Sequence, residues 1–396
     1  MLYLNISENK KMKRIIIVNN NMHLGGVQKS LLEFIKEIHK EYNITLILFA
    51  KKGELLHLIP DDIKIIETKS LYHCFGISQR EYPIYSIWYY IRGIISTLFK
   101  IFGRHFMMPL INISQSRLKE EFDIAISFSQ NASEHLLYGG SNDFVLKKIN
   151  ALQKITFIHC DYSNCGSNTK HNNQQYYKFN KIAACSDGCK ASFLSVLPKL
   201  KSRTYTVVNC HDYEQIKHLA EDNPITYSKD YINLISVARL AEEKGIDRGI
   251  IAVAGNKNIM YHIIGDGPQR QSLVDLVNKL NIGSRVKFYG NQINPYRYMR
   301  NADVLLIPSI HEAAPLVIDE ARCINLPVAS TLTTSSYDMI IKKSSGWVCA
   351  NNQNGLNMLV KSLNNKMISN VKRLMSTFEV NNNQFKDQFK ALIKND

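Results

Sequence analysis

The sequence predicts an α/β protein of two doubly wound parallel sheets that face each other across a cleft. Three observations lead there: a length of 396 residues, short β-branched apolar runs alternating with helical stretches, and a polar joint near mid-chain. At about 150 residues per domain the length allows two or three domains, and two is the simpler reading. Apolar runs separated by amphipathic stretches are what builds parallel sheets covered by helices.

Taken in order, strands of the first half are read at 14–18, 44–49, 63–67, 123–128, 155–159, 181–185 and 205–208. A second series falls at 232–237, 261–264, 286–289, 303–307 and 328–330. Between them, 209–230 is polar, carries Asn223-Pro224, and reads as a linker with a short helix. The domain boundary is therefore set near residue 212, giving domains at 12–211 and 212–380. Residues 381–396 are left as a tail or helix, with a return to the first domain as one course open to them. The Asn/Gln-rich pieces 168–175 and 381–384 read as loop or tail. The start, 1–11, reads as a loose extension; four apolar residues followed by charges are no secretory signal, so the cytoplasm is expected.

One segment departs from the alternation. In 83–109, Ile84, Ile87, Ile91, Ile94, Leu98 and Phe102 fall on one helical face at about 100° per residue, with Arg92, Lys100 and Arg104 opposite. Two readings stand level: a basic amphipathic helix lying in an anionic membrane interface, or a helix packed on the sheet with a solvated charged face. A spanning helix is not expected, because Arg92 and Lys100 interrupt a stretch that would need about 20 apolar residues.

Composition narrows the function classes. With 45% hydrophobic and 21% charged residues the chain is an ordinary globular protein. A net charge of +15 favours anionic partners, yet no helix-turn-helix, zinc-finger or RNP-type signature is present, so nucleic acid is not expected. Eight cysteines, several within apolar runs, read as free thiols of a reducing compartment. His159-Cys160, Cys165 and the Cys185/Cys189 pair match no common zinc-ligand spacing, so no metal site is expected.

Since ligands of open α/β sheets sit beyond the carboxyl ends of the strands, the chemistry is sought in the loops there. After the first strand, Gly25-Gly26 opens a helix whose N–H groups can face an anion; the pattern is not the spaced three-glycine dinucleotide fingerprint. Arg239 and Lys244 follow strand 232–237, a fork and a point charge suited to diphosphate oxygens or, equally, to solvent. Gly265-Asp266-Gly267-Pro268 is a tight turn, and Asn291, Gln292 and Ile293 follow a strand ending in Gly290, placed to face a nucleobase. The strongest element runs from Asp303 to Ala321: a strand leaving at Pro308, Glu312 in the loop, Pro315 at the helix start, and Glu320 on the helix. Two carboxylates eight positions apart can grip hydroxyls at opposite ends of one ligand, while free N–H groups from Ala313 to Val317, excepting Pro315, meet an anion.

At these residues the sequence resembles the family-four retaining glycosyltransferases, also called glycosyl transferases group 1, of GT-B fold: two Rossmann-like domains across a cleft. Glu312 and Glu320 match that family's Glu, seven residues, Glu motif; Arg239 and Lys244 match its diphosphate clamp; Gly265–Pro268 and Gly25-Gly26 match its turn and glycine loop. His159 and Asp161 resemble its active-site His-x-Asp. The resemblance implies an acceptor side in the first domain and a donor side in the second. It implies that Glu320 holds ribose, Glu312 the sugar hydroxyls, Arg239 and Lys244 the diphosphate, and that His159 sits near the reacting carbon. Gly265, Ile293, Ala313, Ala314, Leu316 and Val317 complete the implied donor set, with Gly25 and Gly26 as the phosphate and acceptor loop. The donor would be a nucleotide-diphosphate sugar, UDP-sugar favoured, used with retention and without cofactor or metal. The acceptor would be a glycan or lipid-linked glycan of bacterial surface polysaccharide, such as capsule or lipopolysaccharide, met at the inner face of the cell membrane. Ala313 departs from the family's usual glycine, and its methyl group bears on which sugar fits. Two rivals keep part of this residue set: a non-hydrolysing nucleotide-sugar epimerase, and a catalytically silent, membrane-associated sugar-binding protein.

Overall fold

The computed structural model describes residues 12–377 and 379–394; the N-terminal extension expected at 1–11 lies outside the described residues. The first sheet contains β1 (Arg14–Asn19), β2 (Asn43–Leu48), β3 (Lys64–Glu67), β4 (Glu121–Ser127), β5 (Asn150–Ile158), β6 (Lys181–Ala184) and β7 (Thr204–Thr206). Its strands are parallel and ordered β3-β2-β1-β4-β5-β6-β7. With it go α1 (Gly26–Ile38), α2 (Ile87–Ile113), α3 (Ser141–Lys148), α4 (Lys170–Tyr176) and α5 (Asp187–Val196). After α6 (Tyr213–Glu221), the second sheet contains β8 (Ile232–Val237), β9 (Ile259–Ile264), β10 (Val286–Gly290), β11 (Val304–Ile307), β12 (Val328–Thr331) and β13 (Gly346–Cys349). These too are parallel, ordered β10-β9-β8-β11-β12-β13. The accompanying helices are α7 (Ile246–Ala254), α8 (Arg270–Lys279), α9 (Tyr296–Met299), α10 (Leu316–Cys323), α11 (Gln353–Ser362) and α12 (Asn365–Met375); α13 (Asn383–Ile393) closes the chain.

Burial explains the strands. Ile15, Ile16, Ile17 and Val18 of β1 are all fully buried, as a parallel strand covered on both faces requires. In each sheet the order reverses beside the first strand, between β1 and β4 and between β8 and β11. Loops leaving the carboxyl ends of these four strands therefore hold the crevices where such sheets bind ligands. Helix α13 lies on the first domain: Phe385 and Phe389 meet Phe34 of α1 edge-on at 5.6 and 5.0 Å between ring centroids. Lys386 joins Glu37 at 2.8 Å beside them.

Segment 83–109 corrects the expectation of an apolar face opposed by a basic one. Arg92 donates from Nε to the Ile77 carbonyl at 2.6 Å, and Arg104 is fully buried, reaching the Tyr138 carbonyl and standing 3.8 Å from Asp143. Of the three cations only Lys100 is exposed. The side left to solvent is instead apolar, with Ile84, Ile87, Ile94 and Phe102 exposed and Ile95 and Phe99 buried. For Arg104 the cause is Gly103, whose φ of 73° and ψ of 172° break α2 in two and redirect the residues beyond it. Helix α2 is long and apolar enough to cross a membrane by length and composition alone, and that break divides it.

The two Asn/Gln-rich pieces read as loop or tail are so only at 168–169 and 381–382; the rest is helical. Thr169 caps α4 through the Asn172 N–H at 3.2 Å, while buried Asn172 donates to the Ala132 carbonyl and buried Gln175 to Asp143 of α3. Asn383 and Gln384 begin α13, whose apolar face outweighs their polarity. Strand β13 is absent from the sequence reading; its half-buried residues, Gly346 to Cys349, do not stand out as an apolar run.

Candidate functional site

The second-domain half of the cleft starts where β8 ends. Loop 238–245 carries Arg239 and Lys244, and Gly265 holds the next loop against it: at φ +129° a Cβ there would lie 1.9 Å from the Ala238 carbonyl oxygen. Lys244 Nζ stands 2.7 Å from Glu312 Oε1, which also accepts from Ser309 Oγ at 3.0 Å. Arg239 is two-thirds exposed and stands 2.6 Å from Glu243. So exposed a pair contributes little, and the guanidinium is readily exchanged onto another anion.

Glu312 lies in the loop before α10, and Pro315 caps that helix, so that Leu316 and Val317 present first-turn N–H groups. Ala313 and Ala314 pack on Cys185 and Cys189 of the first domain. The Ala313 carbonyl accepts from Ser186 Oγ at 3.2 Å and from Ser335 Oγ. Glu320, one turn into α10, is 3% exposed. Its Oε1 takes Lys29 Nζ of α1 at 2.5 Å, and the same ammonium donates to Tyr296 OH at 2.7 Å. Burial pulls the Lys29 pKa down, but the Glu320 carboxylate and Tyr296 outweigh it, leaving the ammonium charged and its pKa raised. Ile293 is wholly solvent-exposed, beside Gln292, whose amide is fixed to the Tyr289 carbonyl at 2.7 Å.

In the first-domain half, Gly25 precedes α1 in extended conformation and Gly26 opens it. A Cβ on Gly26 would meet nothing within 4 Å, so packing does not demand glycine there. His159, just past β5, stacks on Phe157 at 5.8 Å and lies against Phe128 at 4.8 Å. Burial pushes its pKa down to about 4, with the Phe128 backbone pulling the other way, so the imidazole is neutral at pH 7. Its Nε2 is buried without a hydrogen-bond partner. For Asp161, burial acts to raise the pKa, but bonds from Ser192, Asn164, Thr334 and Ser163 prevail and take it down to about 2. The Thr334 hydroxyl comes from the second domain, 2.8 Å away. At this seam a Cβ on Gly188 would lie 1.9 Å from the Thr334 carbonyl oxygen, which is why α5 can approach so closely.

The structure thus joins Lys244 directly to Glu312, pairs Arg239 of the same loop with Glu243, and commits Glu320 to a cation from the opposite domain. His159 makes no side-chain hydrogen bond to any of them among the described residues. The sequence reading missed Lys29, Tyr296 and Thr334. Lys29 stands three residues after Gly26, on a helix where periodicity marks it only as polar. Among the described residues no three His, Cys, Asp or Glu side chains are grouped as metal ligands.

Residues 220–373, which carry Arg239, Lys244, Glu312 and Glu320, match the family model described as Glycosyl transferases group 1. The second domain belongs to the glycosyl transferases group 1. Outside that segment the group 1 likeness rests on fold. The chain is 31% identical over 141 residues to the uncharacterized glycosyltransferase MJ1059 of Methanocaldococcus jannaschii, covering 33% of this chain and 34% of that one. It is 29% identical over 143 residues to the putative colanic acid biosynthesis glycosyltransferase WcaL of Escherichia coli K12, covering 33% and 35%. The chain therefore spans about a third of the length of the curated relatives it matches. Among solved structures, Anabaena Alr3699/HepE in complex with UDP superimposes with a TM-score of 0.65 over 96% of this chain and 99% of that one, at 15% identity. WaaG, a glycosyltransferase involved in lipopolysaccharide biosynthesis, gives 0.60 over 96% and 99%, also at 15% identity. The architecture is GT-B, two Rossmann-like domains facing across a cleft.

Proposed function

We propose that this chain is a retaining glycosyltransferase that moves a sugar from a nucleotide-diphosphate sugar, with UDP as the favoured nucleotide, to a glycan or lipid-linked glycan of bacterial surface polysaccharide. The observation that carries the reading is the Lys244–Glu312 ion pair with Arg239 beside it, at the carboxyl ends of β8 and β11. Binding and catalysis then share one set of groups. Arg239 and Lys244 take the diphosphate oxygens, Glu312 turns from Lys244 toward sugar hydroxyls, and Glu320 accepts from the ribose. As the sugar C1–O bond breaks, charge grows on the departing diphosphate, where the two cations and the α10 N-terminus are already oriented. The acceptor hydroxyl bonds to C1 from the face the diphosphate leaves, and its proton passes to a leaving-group oxygen. Neutral His159 borders the sugar without supplying that proton, and no metal or cofactor enters. Support for UDP comes from the UDP complex of the structurally similar Anabaena protein; support for polysaccharide comes from the colanic acid and lipopolysaccharide relatives.

On the acceptor side, the reading is of a protein resting on the cytoplasmic face of the membrane. The exposed apolar side chains of α2, Ile87, Ile94 and Phe102 before the break and Phe106 after it, all between 53% and 69% exposed, support docking by insertion rather than by charge. The test of function is UDP-glucose incubated with and without a panel of glycan and lipid-linked acceptors, following free UDP and the anomeric configuration of the product. UDP released only with acceptor, and an α-linked product, are expected. An epimerised nucleotide sugar formed without acceptor, or binding with no turnover across the panel, would overturn it.

A further inference from the structure

Four cysteines that the donor chemistry does not use meet at the seam between the domains. Cys160 and Cys165 flank Asp161 in the loop after β5, with their Sγ atoms 2.9 Å apart. Cys185 and Cys189 form a second pair at 3.5 Å, and the Cys189 thiol points to the Cys160 carbonyl at 3.5 Å. The pairs differ in access: Cys165 is exposed and Cys160 half-buried, whereas Cys185 and Cys189 are buried under Ala313 and Ala314.

The turn that carries the first pair is already closed. The Asp161 carbonyl accepts from the Asn164 and Cys165 N–H groups at 3.0 and 2.9 Å, which folds the two thiols toward each other. A disulfide needs sulfurs about 2.05 Å apart, so the remaining movement is under about 1 Å. We propose that Cys160 and Cys165 are a reversible thiol–disulfide site whose oxidised form locks the Asp161 loop against the second domain. Cys165 is the nucleophile, because hydrogen bonding from Cys160 lowers its pKa to about 6 against the opposing effect of burial, with Ser167 adding to the lowering. Cys160 is driven the other way by the same bond and by burial. A peroxide is the oxidant. The Cys165 thiolate attacks one peroxide oxygen, the O–O bond breaks, and the departing hydroxide takes up the proton that the Cys165 thiol released on ionising, giving a sulfenic acid and water. The Cys160 sulfur then attacks that sulfur, the S–O bond breaks, and the hydroxide takes the Cys160 proton as a second water. Two thiols have lost two electrons and one peroxide has gained them. Asp161 is held to Thr334 throughout, so the disulfide stiffens the contact across the cleft instead of breaking it.

Treatment of the whole chain with hydrogen peroxide, alkylation of remaining thiols and peptide mapping reads this directly and needs no activity. The expected product is one intramolecular Cys160–Cys165 disulfide, removed by dithiothreitol, with Cys185 and Cys189 still alkylated after denaturation. Hydrogen exchange of 161–167 should slow in the oxidised form. In Cys160→Ser a dimedone-trapped sulfenic acid should appear at Cys165, and in Cys165→Ser none at Cys160. Both thiols free after peroxide, irreversible oxidation of Cys165 alone, or a disulfide at Cys185–Cys189 instead, would each overturn the proposal, whatever reaction the cleft performs.

Discussion

At Glu320 a carboxylate proposed to hold ribose is, without ligand, neutralised by Lys29 from the other domain. Removing one partner of such a pair strands the other charge, which costs about 3–5 kcal/mol when both are fully buried. Lys29 keeps 30% of its side chain exposed, so Glu320→Ala should cost less, about 2–3 kcal/mol, and Lys29→Met should recover much of it. Urea unfolding of the two single variants and the double one measures this; strictly additive losses would show that the pair is not coupled. UDP affinity should fall in Glu320→Ala even where stability is restored, since the ribose acceptor is gone. The carboxylates and cations of the second domain are legible in the sequence because strand, loop and helix occupy one short stretch with fixed geometry. Lys29 is not, because its partner lies 291 positions away and only the closing of two domains brings them together.

Helix α2 shows where periodicity stops being a guide. Up to Phe102 the apolar spacing marks a real helix, but one glycine at φ 73° ends the register, and Arg104 turns from an expected solvent cation into a fully buried one. Helix α4 fails for another reason: two of its three buried positions are Asn172 and Gln175, and the Gln175 partners are Asn131, in the loop after β4, and Asp143 of α3. For the proposed membrane docking the consequence is testable. Wild type should co-sediment with neutral as well as anionic vesicles and tolerate salt, and Ile94→Asp with Phe106→Asp should release it. Each side chain withdrawn from the acyl boundary removes about 1.5–3 kcal/mol. Binding to anionic vesicles alone, abolished by salt, would contradict docking through this face.

Across the whole molecule, two buried imidazoles make stability depend on pH. His262 donates to Asn233 Oδ1 at 3.0 Å and accepts from Tyr289 OH at 3.1 Å; burial, helped by Lys287, lowers its pKa to about 4, the value His159 also has. Both are depressed below the unfolded value of about 6.5, so between pH 4 and 6.5 the unfolded chain binds more protons and stability rises with pH. Going from pH 7 to pH 5 should cost about 2 kcal/mol for each, read from urea midpoints, and His262→Gln should flatten the slope. A profile independent of pH over that window would mean that these rings are protonated in the folded protein.

The proposed donor site has Arg239, Lys244, Glu312 and Glu320 converge on one nucleotide-diphosphate sugar. Calorimetric titration of UDP into wild type and into the Arg239→Ala, Lys244→Ala double variant addresses that convergence without needing an acceptor. Charge-assisted hydrogen bonds of about 1.5–3 kcal/mol each predict a loss of roughly a hundredfold or more in affinity, with the variant still unfolding cooperatively on heating. Equal affinity in the two proteins would place the diphosphate elsewhere and contradict the donor site.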